Sequence, residues 1–267
     1  MSHGIRSGFK SLIRASLGRA GYRIIRATTL PDPYDSQHRL LRDCSNPIIF
    51  DVGGNRGDTS ERYLKLFPNA IIHTFEPLPS LASQLRERFQ THSRVHVVQC
   101  ALADEEGTAP FHVNPSDVQS SLLPLTDSGE RAYLQPTETI DVPINTLDAY
   151  CAREHIQTIH ILKMDIQGAE YKALCGAREL LSAGRISSIY LECWFVPHYQ
   201  NSATFHEIAA LLSSFGYCVF DLFDLTRDSN GQLVKVDALF ISRDIQQQLV
   251  KHKPTWSSAR IRELRGE

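Results

Sequence analysis

Three glycines and an asparagine stand together in "FDVGGNRGDTSERYL" (residues 50–64), directly after an apolar run and just before a helical pattern. Without a β-carbon the backbone can turn sharply and approach a ligand, while the N–H groups of the following helix point toward it. Gly53, Asn55 and Gly57 therefore read as contact positions of a ligand-binding loop. A plain tight turn accounts for one glycine easily, but much less well for Gly53, Gly54 and Gly57 together. Asp51, ending the apolar run, is placed to orient the loop or to accept from an ammonium group. Glu76 closes the next apolar run in "HTFEP" (73–77). An acid at that place in a parallel sheet accepts hydrogen bonds from ribose hydroxyls, although taken alone it would suit a helix start before Pro77. Loop and acid together point to an adenosine-bearing cofactor.

In "KMDIQGAEYKAL" (163–174) a third apolar run ends at Asp165, and Gly168 opens a helix. A rigid strand would hold Asp165 beside the cofactor's reactive end, or the carboxylate caps the helix, and one group can do both. Glu170 falls in the first helical turn, where negative charge is favourable on structural grounds alone. In "YLECWFVPHYQ" (190–200), Glu192 ends another run, and Trp194, His198 and Tyr199 follow it as an acceptor-side wall. His198 has the pKa range suited to general-base work at neutral pH, against the commoner case of a surface histidine.

These residues lie at the ends of a regular alternation. Strands are predicted at 48–52, 70–75, 94–99, 159–164 and 186–192, too continuously apolar to be half-exposed. Helices are predicted at about 58–67, 80–90, 168–182 and 202–215, the last stopping at Gly216. That pattern requires a parallel sheet with helices on both faces. Strand patterns at 217–225 and 234–242 flank a turn containing Asn230-Gly231 and predict a closing antiparallel hairpin. Residues 114–145 read as a polar loop over the sheet's carboxyl edge with a short strand near 138–144.

The chain has 267 residues, 42% hydrophobic and 22% charged, which suits one large α/β domain or two small ones and excludes disorder and collagen-like repeats. A net charge of −2 gives no reason to expect nucleic-acid binding. No apolar stretch approaches the roughly 20 residues that cross a bilayer, and the N-terminus lacks the apolar core of a signal peptide. The six scattered cysteines show neither CxxC pairs nor zinc spacing, so reduced thiols in the cytoplasm and no metal site are expected. Residues 1–30 carry six Lys and Arg residues and no acid, with Ile5, Phe9, Leu12 and Ile13 on one helical face. Such a helix can lie on the anionic inner face of a membrane, or dock on its own domain or on a second subunit of a homo-oligomer. "PDPYD" (31–35) reads as a break.

An open parallel sheet closed by an antiparallel hairpin resembles the α/β, Rossmann-like outline of class I S-adenosylmethionine-dependent methyltransferases. More specifically, "FDVGGNRGDTS", "TFEPLP", "CALADEEG", "SSL" (120–122), "INTLDAY", "ILKMDIQGAE" and "LECWFVPHY" occur in the order and spacing of the FkbM-type methyltransferase family. The resemblance covers about residues 47–243, so the chain is read as a basic N-terminal segment (1–45), a methyltransferase domain (46–243) and a C-terminal tail (244–267), the last taken as a helix. It also implies S-adenosylmethionine as cofactor, with Asp51, Gly53, Asn55 and Gly57 around its methionine part, Glu76 on its ribose, and Ala101 also in the cofactor site. The implied reaction is O-methylation of a sugar, glycan or secondary-metabolite hydroxyl. Ser121, Gln167, Glu192 and Tyr199 would face the acceptor, and Asp165 first or His198 second would take its proton. Gln167 stands where the family usually has an acid, which counts against a metal-assisted variant. Two rival readings are a nicotinamide-dependent oxidoreductase and a non-catalytic module that retains the pocket. Against the first, the loop is G-G-N-x-G and no Tyr-x-x-x-Lys pair occurs.

Overall fold

The computed structural model describes residues 32–114, 120–126 and 138–251. Its core is a seven-stranded sheet built from β1 (Ile48–Val52), β2 (Ile71–Phe75), β3 (Val95–Val98), β7 (Ile159–Met164), β8 (Ile186–Trp194), β9 (Cys218–Arg227) and β10 (Leu233–Ile241), in the order β3-β2-β1-β7-β8-β10-β9. The first five strands in that order are parallel, while β10 runs antiparallel to both β8 and β9. Every predicted strand is present, and the terminal hairpin closes one edge as expected.

The continuously apolar strands have a physical cause. Because neighbouring residues of a strand point to opposite faces, both faces of these strands must be buried. Ile49 and Ile161 pack on one face with Tyr63 of α2 (Asp58–Leu66) and with Leu41, just past α1 (Pro33–Leu40). Phe50 and Leu162 pack on the other face with residues of α4 (Leu147–Arg153), α5 (Glu170–Cys175), α6 (Arg178–Ser182) and α7 (Phe205–Ser214). On that second face His73 contacts the Tyr150 hydroxyl at 2.8 Å, and burial lowers its imidazole to about 4. α3 (Pro79–Arg88) follows β2, and α8 (Arg243–Lys251) follows β10.

Two of the sequence readings differ from the structure, and two elements escaped them. "PDPYD" does not remain a loop. Pro33 occupies the first turn of α1, where a missing N–H costs nothing, and the Asp32 carboxylate accepts from Tyr34 N at 2.8 Å and Asp35 N at 3.2 Å. The single helix expected over 168–182 is two short ones separated at Gly176, whose added Cβ would lie 2.1 Å from the Ala103 carbonyl oxygen. The strand near 138–144 is β6 (Glu138–Asn145), part of a second sheet ordered β4-β6-β5 with β4 (Ala101–Leu102) and β5 (Gly107–Val113). Neither β5 nor α4 was legible. β5 buries only Phe111 and contains Pro110, so it carries no apolar run, and it lies at the edge of its sheet, where proline is tolerated. The basic segment 1–30 and the tail beyond α8 lie outside the described residues.

Candidate functional site

At the carboxyl end of the parallel strands, the β1–α2, β2–α3 and β7–α5 loops enclose a cleft of about 660 Å³. Gly53, Asn55, Glu76, Ala101, Asp165 and Gln167 all line it, so six of the predicted site residues converge on one space. Apolar side chains, including Leu78, Leu102, Phe111 and Leu122, wall it toward the second sheet. The Glu76 carboxylate accepts from Asn55 N and from Leu78 N, each at 2.9 Å. Two backbone amides thus fix its plane where β2 ends.

The glycines answer mainly to the protein's own atoms. A Cβ on Gly53 would lie 2.0 Å from the Asp165 carbonyl oxygen, and its φ of +79° suits glycine, so the two catalytic-end loops touch backbone to backbone here. Gly57 does not line the cleft. It sits left-handed at the start of α2, and its absent side chain makes room for Phe89 and Leu85, within 2.7–2.8 Å of a built Cβ. Its predicted ligand contact is therefore replaced by a packing role. Asp51 is likewise set below the cleft, fully buried, accepting from Ser60 Oγ at 2.6 Å and pairing with Lys163 Nζ at 3.3 Å. It ties α2 and β7 together under the loop. Burial works against the Lys163 ammonium, but the charges of Asp51 and Asp165 hold it above its ordinary range.

A second cleft, about 600 Å³, opens on the α1–α2 side of the sheet, and Asp165 lines both. Its polar lining includes Glu192, Lys235 and Asp237, brought together because β8 and β10 pair antiparallel with Glu192 opposite Asp237. Lys235 Nζ donates to Glu192 Oε1 at 2.6 Å. Burial, then the neighbouring Asp165, raises the Glu192 carboxyl, and Lys235 offsets part of that.

Gln167 is the junction of the site. Its φ of +57° turns the side chain so that Nε2 donates to Asp165 Oδ1 at 2.7 Å and reaches Glu192 Oε2 at 3.5 Å, while Oε1 accepts from the Tyr199 hydroxyl at 2.6 Å. An acid here would set a third carboxylate against two others; the amide instead donates to them. Ser121 and Tyr199 act behind this junction. Ser121 is fully buried and donates to the Gln167 carbonyl oxygen at 2.8 Å, and Tyr199 is fully buried too. His198, expected as the second candidate base, lines neither cleft; its ring stacks on Trp194 at 4.7 Å and supports the wall. Glu170 is buried, accepts from Ile166 N at 2.9 Å, and burial raises its carboxyl to about 8.

Sequence reasoning missed Lys235 and Asp237. The alternation in "VKVDALF" puts Lys235 and Asp237 on one face of their strand, a usable signal, whereas Phe111 and Leu122 lie in segments without periodicity. All six cysteines are unpaired, no group of side chains suited to a metal ion occurs among the described residues, and no helix among them is long and apolar enough to cross a membrane.

An open sheet of this order, a glycine loop after its first strand, and an acid ending the next strand define a class I S-adenosylmethionine-dependent methyltransferase. The cleft fits that cofactor, with a strand-end carboxylate held by two amides for the ribose and apolar walls for the base. The chain belongs to the methyltransferase FkbM domain family, which matches residues 51–219. It is 30% identical over 183 residues to the 2-O-methyltransferase NoeI of Sinorhizobium fredii, covering 66% of this chain and 74% of that one. It is 26% identical to the 31-O-demethyl-FK506 methyltransferase FkbM of Streptomyces tacrolimicus, covering 64% and 73%. Among solved structures, TrmK of M. capricolum in complex with S-adenosylhomocysteine is 8% identical, covers 80% of this chain and 69% of that chain, and superposes with a TM-score of 0.44. Family membership sets aside the nicotinamide-dependent alternative.

Proposed function

We propose that the protein methylates a hydroxyl of a sugar, glycan or secondary-metabolite acceptor seated in the second cleft, and that Asp165 takes the hydroxyl proton. The carrying observation is that Asp165, alone among the described acids, lines both clefts. Bound in the first cleft, S-adenosylmethionine supplies a methyl group made electrophilic by its sulfonium charge. The chain's part is to place an acceptor oxygen next to it and to relieve that oxygen of its proton. Orientation of this kind contributes much of the rate, and a positioned carboxylate adds general-base assistance. The Asp165 side chain is exposed, so a proton it accepts has a path to water. The Gln167 amide holds Oδ1 and thereby aims the carboxylate. Polar groups from β8 and β10 suit an acceptor with several hydroxyls, and the names of two relatives denote O-methyl chemistry.

The test is transfer from methyl-labelled cofactor to a panel of glycan and polyhydroxylated acceptors, with the modified atom located by NMR. Label on a hydroxyl oxygen supports the reading; label only on nitrogen or carbon rejects it.

A further inference from the structure

Lys163 is assigned nothing by the reading above, yet it lines the second cleft while almost wholly buried, with 6% of its surface exposed. Its ammonium carries three donors and makes one ion pair, to Asp51 Oδ1 at 3.3 Å. Asp51 does not rely on it alone, because its other oxygen takes the Ser60 hydroxyl. Asp165 lies two residues on along the chain, where the clefts meet. Thr59, in the first turn of α2, lines the same wall, and the Gly57 cap supplies no side-chain acceptor to that helix start.

A buried cation and an exposed carboxylate thus flank the junction of the two clefts. A buried cation complements an anionic group, and the methionyl end of the cofactor carries one, its α-carboxylate; Asp165 stays free for the acceptor. We infer that Lys163 binds the α-carboxylate of the cofactor's methionyl end, with the α2 N-terminus adding favourable dipole. This places the amino-acid tail across the junction and leaves the Glu192, Lys235 and Asp237 part of the second cleft to the acceptor. The inference rests on the cofactor reading. The competing account is that Lys163 only neutralises Asp51.

Calorimetry on the full chain separates the two. S-adenosylhomocysteine should bind at least about 10-fold more tightly than its decarboxylated analogue, S-adenosyl-3-thiopropylamine; equal affinities would overturn the inference. In the charge-conserving double variant Asp51→Asn/Lys163→Met, that advantage should shrink to about twofold while 5′-methylthioadenosine, which lacks the tail, binds as before. An undiminished advantage, or equal loss of both ligands, would also overturn it. If the double variant does not fold, Lys163→Gln carries the same comparison. Wild-type protein that bound none of these ligands would overturn the cofactor assignment, and this inference with it.

Discussion

Asp165 and Glu170 lie five positions apart, and the structure gives them opposite environments. Asp165 is exposed and aimed by Gln167, so Asp165→Asn should lower turnover by about 10²–10⁴ while S-adenosylhomocysteine affinity stays within a few-fold. Unchanged turnover in a coupled assay would remove it as the base. Glu170 is buried, and its carboxyl is raised to about 8 from an ordinary 4.5. A folded value above the unfolded one means that its stabilising contribution is complete below about pH 4.5 and is lost as pH rises through 8. Glu170→Gln keeps an acceptor for Ile166 N without the charge. Its melting temperature should therefore exceed wild type by a margin that grows between pH 5 and 9, reaching a few degrees (roughly 2–4 °C per kcal/mol). A pH-independent difference would contradict the burial argument. At this scale Asp165, Glu76 and Gly53 were legible because each ends a readable strand or follows one. His198 was not, since stacking on Trp194 is a tertiary fact without a local signature.

Among elements, the β1–α2 loop shows how a ligand-binding signature can be written partly for packing. Gly57→Ala places a methyl group against Phe89 and Leu85 at a φ of +88°, so strain and overpacking act together. The expected cost is about 1–3 kcal/mol, read as a lower urea midpoint. Cofactor affinity, measured on the fraction that remains folded, should be nearly unchanged because Gly57 does not line the cleft. A tenfold loss of affinity without loss of stability would restore the original ligand-contact reading. Strands β1, β2, β7 and β8 were readable from sequence because burial on both faces leaves a continuous apolar run. β5 was not, because it buries one residue and pairs at an edge, and the Gly176 break follows from a contact with Ala103 far away in sequence.

Taken whole, the molecule brings both clefts to one edge of its main sheet, as open α/β sheets do with their ligands. Ligand bound only by the folded state stabilises it. S-adenosylhomocysteine at about 100 times its Kd should therefore add roughly 2.7 kcal/mol to unfolding, seen as a concentration-dependent rise in Tm. NADH should give none. Whether the Gly53 loop and Glu76 together hold the nucleoside of S-adenosylmethionine is decided by calorimetric titration of wild type and Glu76→Ala with S-adenosylhomocysteine. Wild type should bind one equivalent, and a folded Glu76→Ala variant should show at least a tenfold weaker Kd, about 1.4 kcal/mol. Equal affinity in the two proteins, or no binding to either, would contradict that arrangement.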